Sequence, residues 1–211
     1  MNTTISLTPN SATILVRCAN ESKETRVDVD CIGDSKMLDR PAIGLFCSSK
    51  CPGDAILSAM KWVGGAAGNS EYAIAAGFHS AMEKSFLEAL LAGSCSILVF
   101  PARSLARYRV PTHLRQPISD RRLAIVSRFG DSTRSASAST GRQRNQFVAE
   151  IATHLVVAYA APGSRTEEFA LRQLEDGRQV WCLHRGCTAL TDAGARILPS
   201  QFDIKGFGVE R

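Results

Sequence analysis

Five short groups of residues in this sequence have the types and spacing to hold an anion. The first is Ser48-Ser49-Lys50, directly after the apolar run Pro41-Ala42-Ile43-Gly44-Leu45-Phe46-Cys47. A turn of small residues between a strand and a helix lets backbone N–H groups approach a phosphate, and Lys50 adds charge. A plain turn with Asp54 capping the next helix reads equally well. The second group is Gly77, His79, Ser80 and Glu83. The third is Arg103, in the basic loop Pro101 to Pro111 with Arg107, Tyr108 and Arg109. The fourth is Arg144 and Asn145, within Gly141-Arg142-Gln143-Arg144-Asn145, and the fifth is Gly163, Ser164 and Thr166. The fourth group reads as the first turn of a helix starting near Thr140. Cations there oppose the helix dipole by roughly 0.3–1 kcal/mol each, and a bound phosphate would reverse the sign. Solvated arginines are the alternative.

If the chain is an enzyme, Glu83 and Glu168 are the candidate catalytic carboxylates, one stabilising a cationic sugar while water is activated. Each has a structural reading too. Ser80 and Glu83 form a Ser-x-x-Glu capping box, and Glu168 pairs with Arg172 at i,i+4. His79 has no acid or cysteine near it at metal spacing, and Cys182-x4-Cys187 has no second pair. No metal and no cofactor is expected. The seven cysteines (18, 31, 47, 51, 95, 182 and 187) read as thiols in a reducing cytosol.

The elements that must position these groups follow from periodicity. Tyr72 to Ala75 is a short strand. Met82, Phe86 and Leu90, widened by Leu87 and Leu91, are the buried stripe of a helix that Gly93 ends with a left-handed cap. Ser96 to Phe100 is a strand closed by Pro101. This is one βαβ unit, so the sheet is parallel, covered on both faces, with ligands at the carboxyl ends of its strands. Further strands are predicted over 12–18, 25–31, 41–47, 123–127, 154–160 and 179–183. Helices are predicted with Ile56, Met60 and Val63 on one face, from Thr140 with Phe147, Val148 and Ile151 inward, and from a Ser164/Glu167 capping box to Glu175, where Gly177 stops the helix. Residues 64–70 read as a flexible connection, 128–139 as a mobile loop, and 191–197 as a short helix. The fold class is α/β: a Rossmann-like parallel sheet of five to seven strands with helices on both faces. Residues 1–40 supply strands packed on or extending that sheet, 41–187 form the main domain, and 188–211 are a tail.

The 211 residues suffice for one well-buried domain, with 45% hydrophobic and 21% charged residues. A net charge of +5 and pI of about 8.9 permit an anionic partner without requiring one. Arginine outnumbers lysine heavily between positions 103 and 144, and its planar fork suits phosphate oxygens. No signal peptide and no apolar run near the ~18 residues of a membrane span is visible, so a cytoplasmic protein without membrane contact is expected.

In order, these motifs resemble the Rossmann-like core of the DprA/Smf DNA-processing family, within the SLOG nucleotide-binding superfamily, and a short single-domain subgroup of it. The likeness covers about residues 41–184. The family's Gly-Ser-Arg falls on Ser48, Ser49 and Lys50. Its Ser-Gly-x-Ala-x-Gly-Ile-Asp falls on Ala76 to Glu83, with Ala81 in place of Gly and Glu83 in place of Asp. Its Arg-Arg-Asn falls on Gln143, Arg144 and Asn145, and its Ser-Gly-Ser-x-x-Thr on Pro162, Gly163, Ser164 and Thr166, one residue tighter. The resemblance implies binding of single-stranded DNA, a homodimer and no catalytic chemistry. The recombinase loading of the full family depends on surfaces not traced in this sequence.

Three functions follow. The first is a module for single-stranded nucleic acid, gripping phosphates and stacking bases on Tyr108, Phe78 or Phe129, although packing is the alternative for both phenylalanines. The second is a phosphoribohydrolase acting on nucleoside monophosphates. Residues 162–168 resemble the Pro-Gly-Gly-x-Gly-Thr-x-Glu-Glu loop of the LOG-type enzymes. The third is a non-catalytic sensor of a small nucleotide signal, as in phage defense.

Overall fold

The computed structural model describes residues 7–17 and 24–207. Cys18 and the end of the tail, 208–211, lie outside the described residues. An antiparallel hairpin of β1 (Asn10–Arg17) and β2 (Glu24–Ile32) opens the chain. Then strands and helices alternate: β3 (Ala42–Cys47), α1 (Gly53–Ala66), β4 (Ala73–Ala76), α2 (Ala81–Leu91), β5 (Ser96–Val99), α3 (Thr112–Ser119), β6 (Leu123–Ser127), α4 (Ala138–Ile151), β7 (His154–Tyr159), α5 (Arg165–Glu175), β8 (Val180–Cys182), α6 (Thr188–Asp192) and β9 (Arg196–Ile197).

Among the described residues the sheet has nine strands, in the order β1-β2-β6-β5-β4-β3-β7-β8-β9. That exceeds the five to seven expected. The α/β class is as read, and β3 to β9 are parallel throughout. The excess comes from the hairpin, which joins antiparallel to the free edge of β6, and from the two-residue β9. The order reverses between β3 and β7. The chain runs outward from β3 to β6, then returns to the other side of β3. Such a reversal opens a crevice at the carboxyl ends of the strands.

The parallel strands β3 to β8 are buried on both faces, which explains their continuous apolar runs. One face packs Ile43, Ile74, Ile97 and Val156 against Trp62 of α1, Phe86 and Leu90 of α2, and Ile118 of α3. The other packs Phe46, Ala75, Leu98 and Val157 against Phe147 of α4, Phe169 of α5 and Leu190 of α6.

Local expectations fail where tertiary contacts decide. Gly64 and Gly65 belong to the last turn of α1, because the segment after β9 packs there: a Cβ on Gly65 would stand 2.8 Å from Phe202 Cβ. Gly93 has no positive φ; it is glycine because a Cβ would strike the Ala67 carbonyl. The expected helix over 191–197 lies instead at Thr188–Asp192, since Arg196 and Ile197 join the sheet. α3 escaped the sequence reading because Pro117 sits inside it. Gly177 does stop α5 with φ 76°.

Several arginines serve the fold. Arg122 donates to the carbonyls of Gly93 and Leu91 at the end of α2. Arg178 donates to Ala149 O and Ala152 O, each at 2.7 Å, at the end of α4. Both satisfy carbonyls that a helix leaves open and complement its dipole.

The tail closes the α1 face. Phe202 meets Trp62 edge-on at 5.2 Å, and Phe207 stacks on His154 at 4.5 Å. Burial, then the charge of Arg178, lowers the pKa of His154 from 6.5. The unfolded chain therefore binds more protons just below pH 6.5, and stability is full above that pH and declines as pH falls. Urea midpoints at pH 5.5 and 7.5 should show this decline, and His154→Phe should flatten it.

Candidate functional site

At the carboxyl edge the loops after β3, β4, β5 and β7 converge. The end of β4 is the centre. Ser80 caps α2: its Oγ accepts from Glu83 N–H at 3.2 Å, while Glu83 Oε2 accepts from the N–H groups of Ser80 and His79 at 3.1 and 2.9 Å. Glu83 is 9% exposed. The two amides expected to hold a phosphate are therefore occupied by the chain's own carboxylate. The imidazole of His79, which is exposed, remains available.

Arg144 crosses to this turn from α4. The capping box of Ser137 and Thr140 starts α4 at Ala138, two residues before the expected Thr140. Arg142 and Arg144 thus sit in its second turn, and the dipole argument that placed them in the first does not apply. Arg144 is 8% exposed and lies on Gly77, where a Cβ would coincide with the guanidinium. Nη1 donates to Phe100 O at 3.2 Å, and Nε is buried with no partner among the described residues. Burial lowers the pKa of this guanidinium, and the nearby Glu83 carboxylate works against the shift. A buried cation with an unfilled donor has much to gain from an anion.

The cleft beside Arg144 has a volume of 690 Å³. Ser49, His79, Ser80, Glu83, Arg144 and Asn145 line it as a group. Arg142, Arg165 and Arg172 add positive charge, and Asp176 is a second acid beside Glu83 in the lining. Arg165, Arg172 and the buried Gln173 were missed in the sequence. Arg165 opens α5, and Arg172 and Gln173 follow about two turns later; that spacing is the signal that would have found them. Gly77 and Arg103 line an adjoining chamber of 460 Å³.

Ser48, Lys50, Gly163, Ser164 and Thr166 share the same edge but do not line the cleft. Ser48 is 4% exposed; its Oγ accepts from Ala161 N–H at 3.0 Å and is 2.9 Å from Ser164 Oγ. These hydroxyls join the loop after β3 to the loop after β7. Ser164 Oγ caps α5 by accepting from Glu167 N–H at 3.2 Å, but the expected reciprocal bond is displaced: Glu167 Oε2 accepts from Gly163 N–H at 2.7 Å. Asp54 is no N-cap of α1; it pairs with His184 Nε2 at 3.1 Å. Glu168 faces solvent in a 3.0 Å ion pair with Arg172 and does not line the cleft. The two carboxylates suggested for an enzyme are thus both engaged in structural roles. Phe129 is 7% exposed and Phe78 6%, as packing side chains are.

No family model matches the sequence, and no curated protein matches it. The fold is similar to DNA processing protein A (DprA) from Streptococcus pneumoniae, with a TM-score of 0.67 at 20% identity over 82% of this chain; this chain spans 63% of that one. It is also similar to DNA processing protein A from Helicobacter pylori, which binds single-stranded DNA, with a TM-score of 0.69 at 17% identity and 93% of each chain covered. The architecture is therefore that of a DprA-like fold. Among the described residues no helix is long and apolar enough to cross a membrane.

Gly77→Ala should drive Arg144 off its seat and destabilise the protein by about 1–3 kcal/mol. Chemical denaturation should show a lower midpoint, and Arg144→Ala in the same chain should recover much of it, because the clash is gone.

Proposed function

We propose that the protein binds single-stranded nucleic acid along the carboxyl edge of its sheet, with phosphates in the cleft around Arg144. The single observation that carries this reading is the buried Arg144 guanidinium, seated on Gly77 with an unfilled donor, in a cleft that Arg142, Arg165 and His79 also enter. An elongated polyanion satisfies such a row of cations better than an uncharged ligand does, and released counterions add to its affinity. The DNA binding of the Helicobacter protein, whose fold this chain shares, supports DNA as the polymer. Ser49, His79 and Asn145 would supply further polar contacts, and Arg103 would extend the path past the cleft. Ser48 and Ser164 would hold the rim together, and Glu83 would orient the turn. The proposal includes a homodimer, as the sequence resemblance implies, and a cytoplasmic location, as the cysteines and the start of the sequence lead one to expect.

Filter retention of a labelled single-stranded oligonucleotide at ~50 mM salt should show binding that weakens steeply as salt rises. Arg142→Ala and Arg165→Ala should each lower the slope of log affinity against log salt by about one. Arg144→Ala should weaken binding about 10- to 100-fold. No retention by the folded protein at low salt would overturn the proposal.

A further inference from the structure

Six cysteines fall among the described residues, and four of them meet in two pairs at strand ends. Cys47 ends β3, and its thiol is hydrogen-bonded to that of Cys51, just ahead of Pro52, the N-cap of α1. Cys182 ends β8, and its thiol is hydrogen-bonded to that of Cys187, the N-cap of α6. Cys182 and Cys187 are fully buried, and Cys47 is 7% exposed. Cys51 is only half-buried and can be reached from solvent. The Cys47–Cys51 pair brackets Ser48, Ser49 and Lys50. Ser48 ties the loop after β3 to the loop after β7, and Ser49 lines the cleft.

We propose that Cys47 and Cys51 are a redox-modified dithiol, oxidised to a disulfide by a low-molecular-weight disulfide, and that closing this bond resets the edge of the cleft. Geometry carries the assignment: two sulfurs already in contact, one of them open to solvent, at the two ends of a three-residue loop. They need only close from a thiol hydrogen bond to a covalent bond of about 2 Å. The Cys182–Cys187 pair is also in contact, but neither sulfur is exposed to an oxidant. In a reducing compartment the dithiol is the resting form.

The order of steps follows from which thiol gives up its proton more readily. Burial raises both pKa values. Neighbouring Cys51 raises that of Cys47 further, whereas the hydrogen bond from Cys47 draws that of Cys51 back down. Cys51 is thus the attacking sulfur and Cys47 the resolving one. Cys51 loses its proton to solvent, and its thiolate attacks one sulfur of the oxidant. The oxidant's S–S bond breaks, and one half leaves as a thiolate that takes up a proton. Cys47 then loses its proton and attacks Cys51 in the mixed disulfide, expelling the second half, which leaves as a thiol in the same way. Two cysteine thiols lose two electrons and two protons, and one small disulfide becomes two thiols. Raised pKa values keep thiolate scarce, so the pair answers a sustained oxidising shift rather than a brief one. The new bond draws in the loop between its ends and moves Ser48 off Ala161 N–H and Ser164 Oγ.

The effect on binding rests on the reading of the cleft as a nucleic-acid site; the linkage itself does not. Trypsin cuts after Lys50, between the two cysteines, so mass spectrometry reads the bond directly. Folded protein equilibrated with glutathione disulfide, blocked with N-ethylmaleimide and digested should yield residues 37–50 joined to residues 51–61. Cys47→Ser should instead retain glutathione on Cys51. Oxidised protein should bind a labelled single strand about 2- to 10-fold more weakly, the range of one lost hydrogen bond. Dithiothreitol should restore the affinity, and Cys51→Ser should be indifferent to the treatment. Blocked thiols throughout, glutathione left on Cys51 of the unsubstituted chain, or Cys51 joined to Cys187 would overturn the pair. Joined peptides with unaltered affinity would overturn the coupling to the cleft. Failure of the reduced protein to bind any strand would overturn the cleft reading and leave the dithiol standing.

Discussion

Arg144 reaches from α4 across the edge of the sheet to lie on Gly77, and the functional end of the molecule depends on this contact. It requires a residue without a side chain at the end of β4, a carbonyl at the end of β5 and a helix whose second turn faces both. The Glu83 carboxylate, drawn back over the N–H groups of His79 and Ser80, lies close enough to favour the charged guanidinium. The burial of a cation is normally opposed by lost hydration. Here one acceptor and one nearby carboxylate offset part of that loss, and the buried Nε is left without a partner among the described residues.

The sheet explains why these groups meet. Seven strands run the same way, so every turn that follows a strand arrives at one edge, and the reversal of order between β3 and β7 parts the loops there. Ser48 and Ser164 then tie the two sides of the crevice together through their hydroxyls. Residues that looked like ligands in isolation thus act as the frame around those that line the opening.

Periodicity was enough to read the βαβ plan, because strands buried on both faces are written as unbroken apolar runs such as LAIVS at 123–127. The DprA-like architecture was also legible, from the order of short motifs. What stayed hidden depends on distance in the chain. The start of α4 turned on a box made by Ser137 and Thr140, inside a serine-rich stretch that reads as loop. The role of Gly93 turned on Ala67, and that of Gly65 on Phe202. Within the site, Arg144 and His79 could be named from local sequence, whereas the engagement of Ser48 by Ala161 N–H and of Glu168 by Arg172 needed coordinates. Arginines at 122 and 178 carry the same charge as those at the cleft, yet each is spent on helix carbonyls.

Phe202 and Phe207 cover side chains that are all made earlier: Trp62, His154 and Trp181. During synthesis the ribosome therefore releases every strand of the sheet before the layer over α1 can shut. Until residues 202–207 emerge, the nascent chain carries an uncovered aromatic seam on the face away from α4, the kind of surface that holding chaperones recognise.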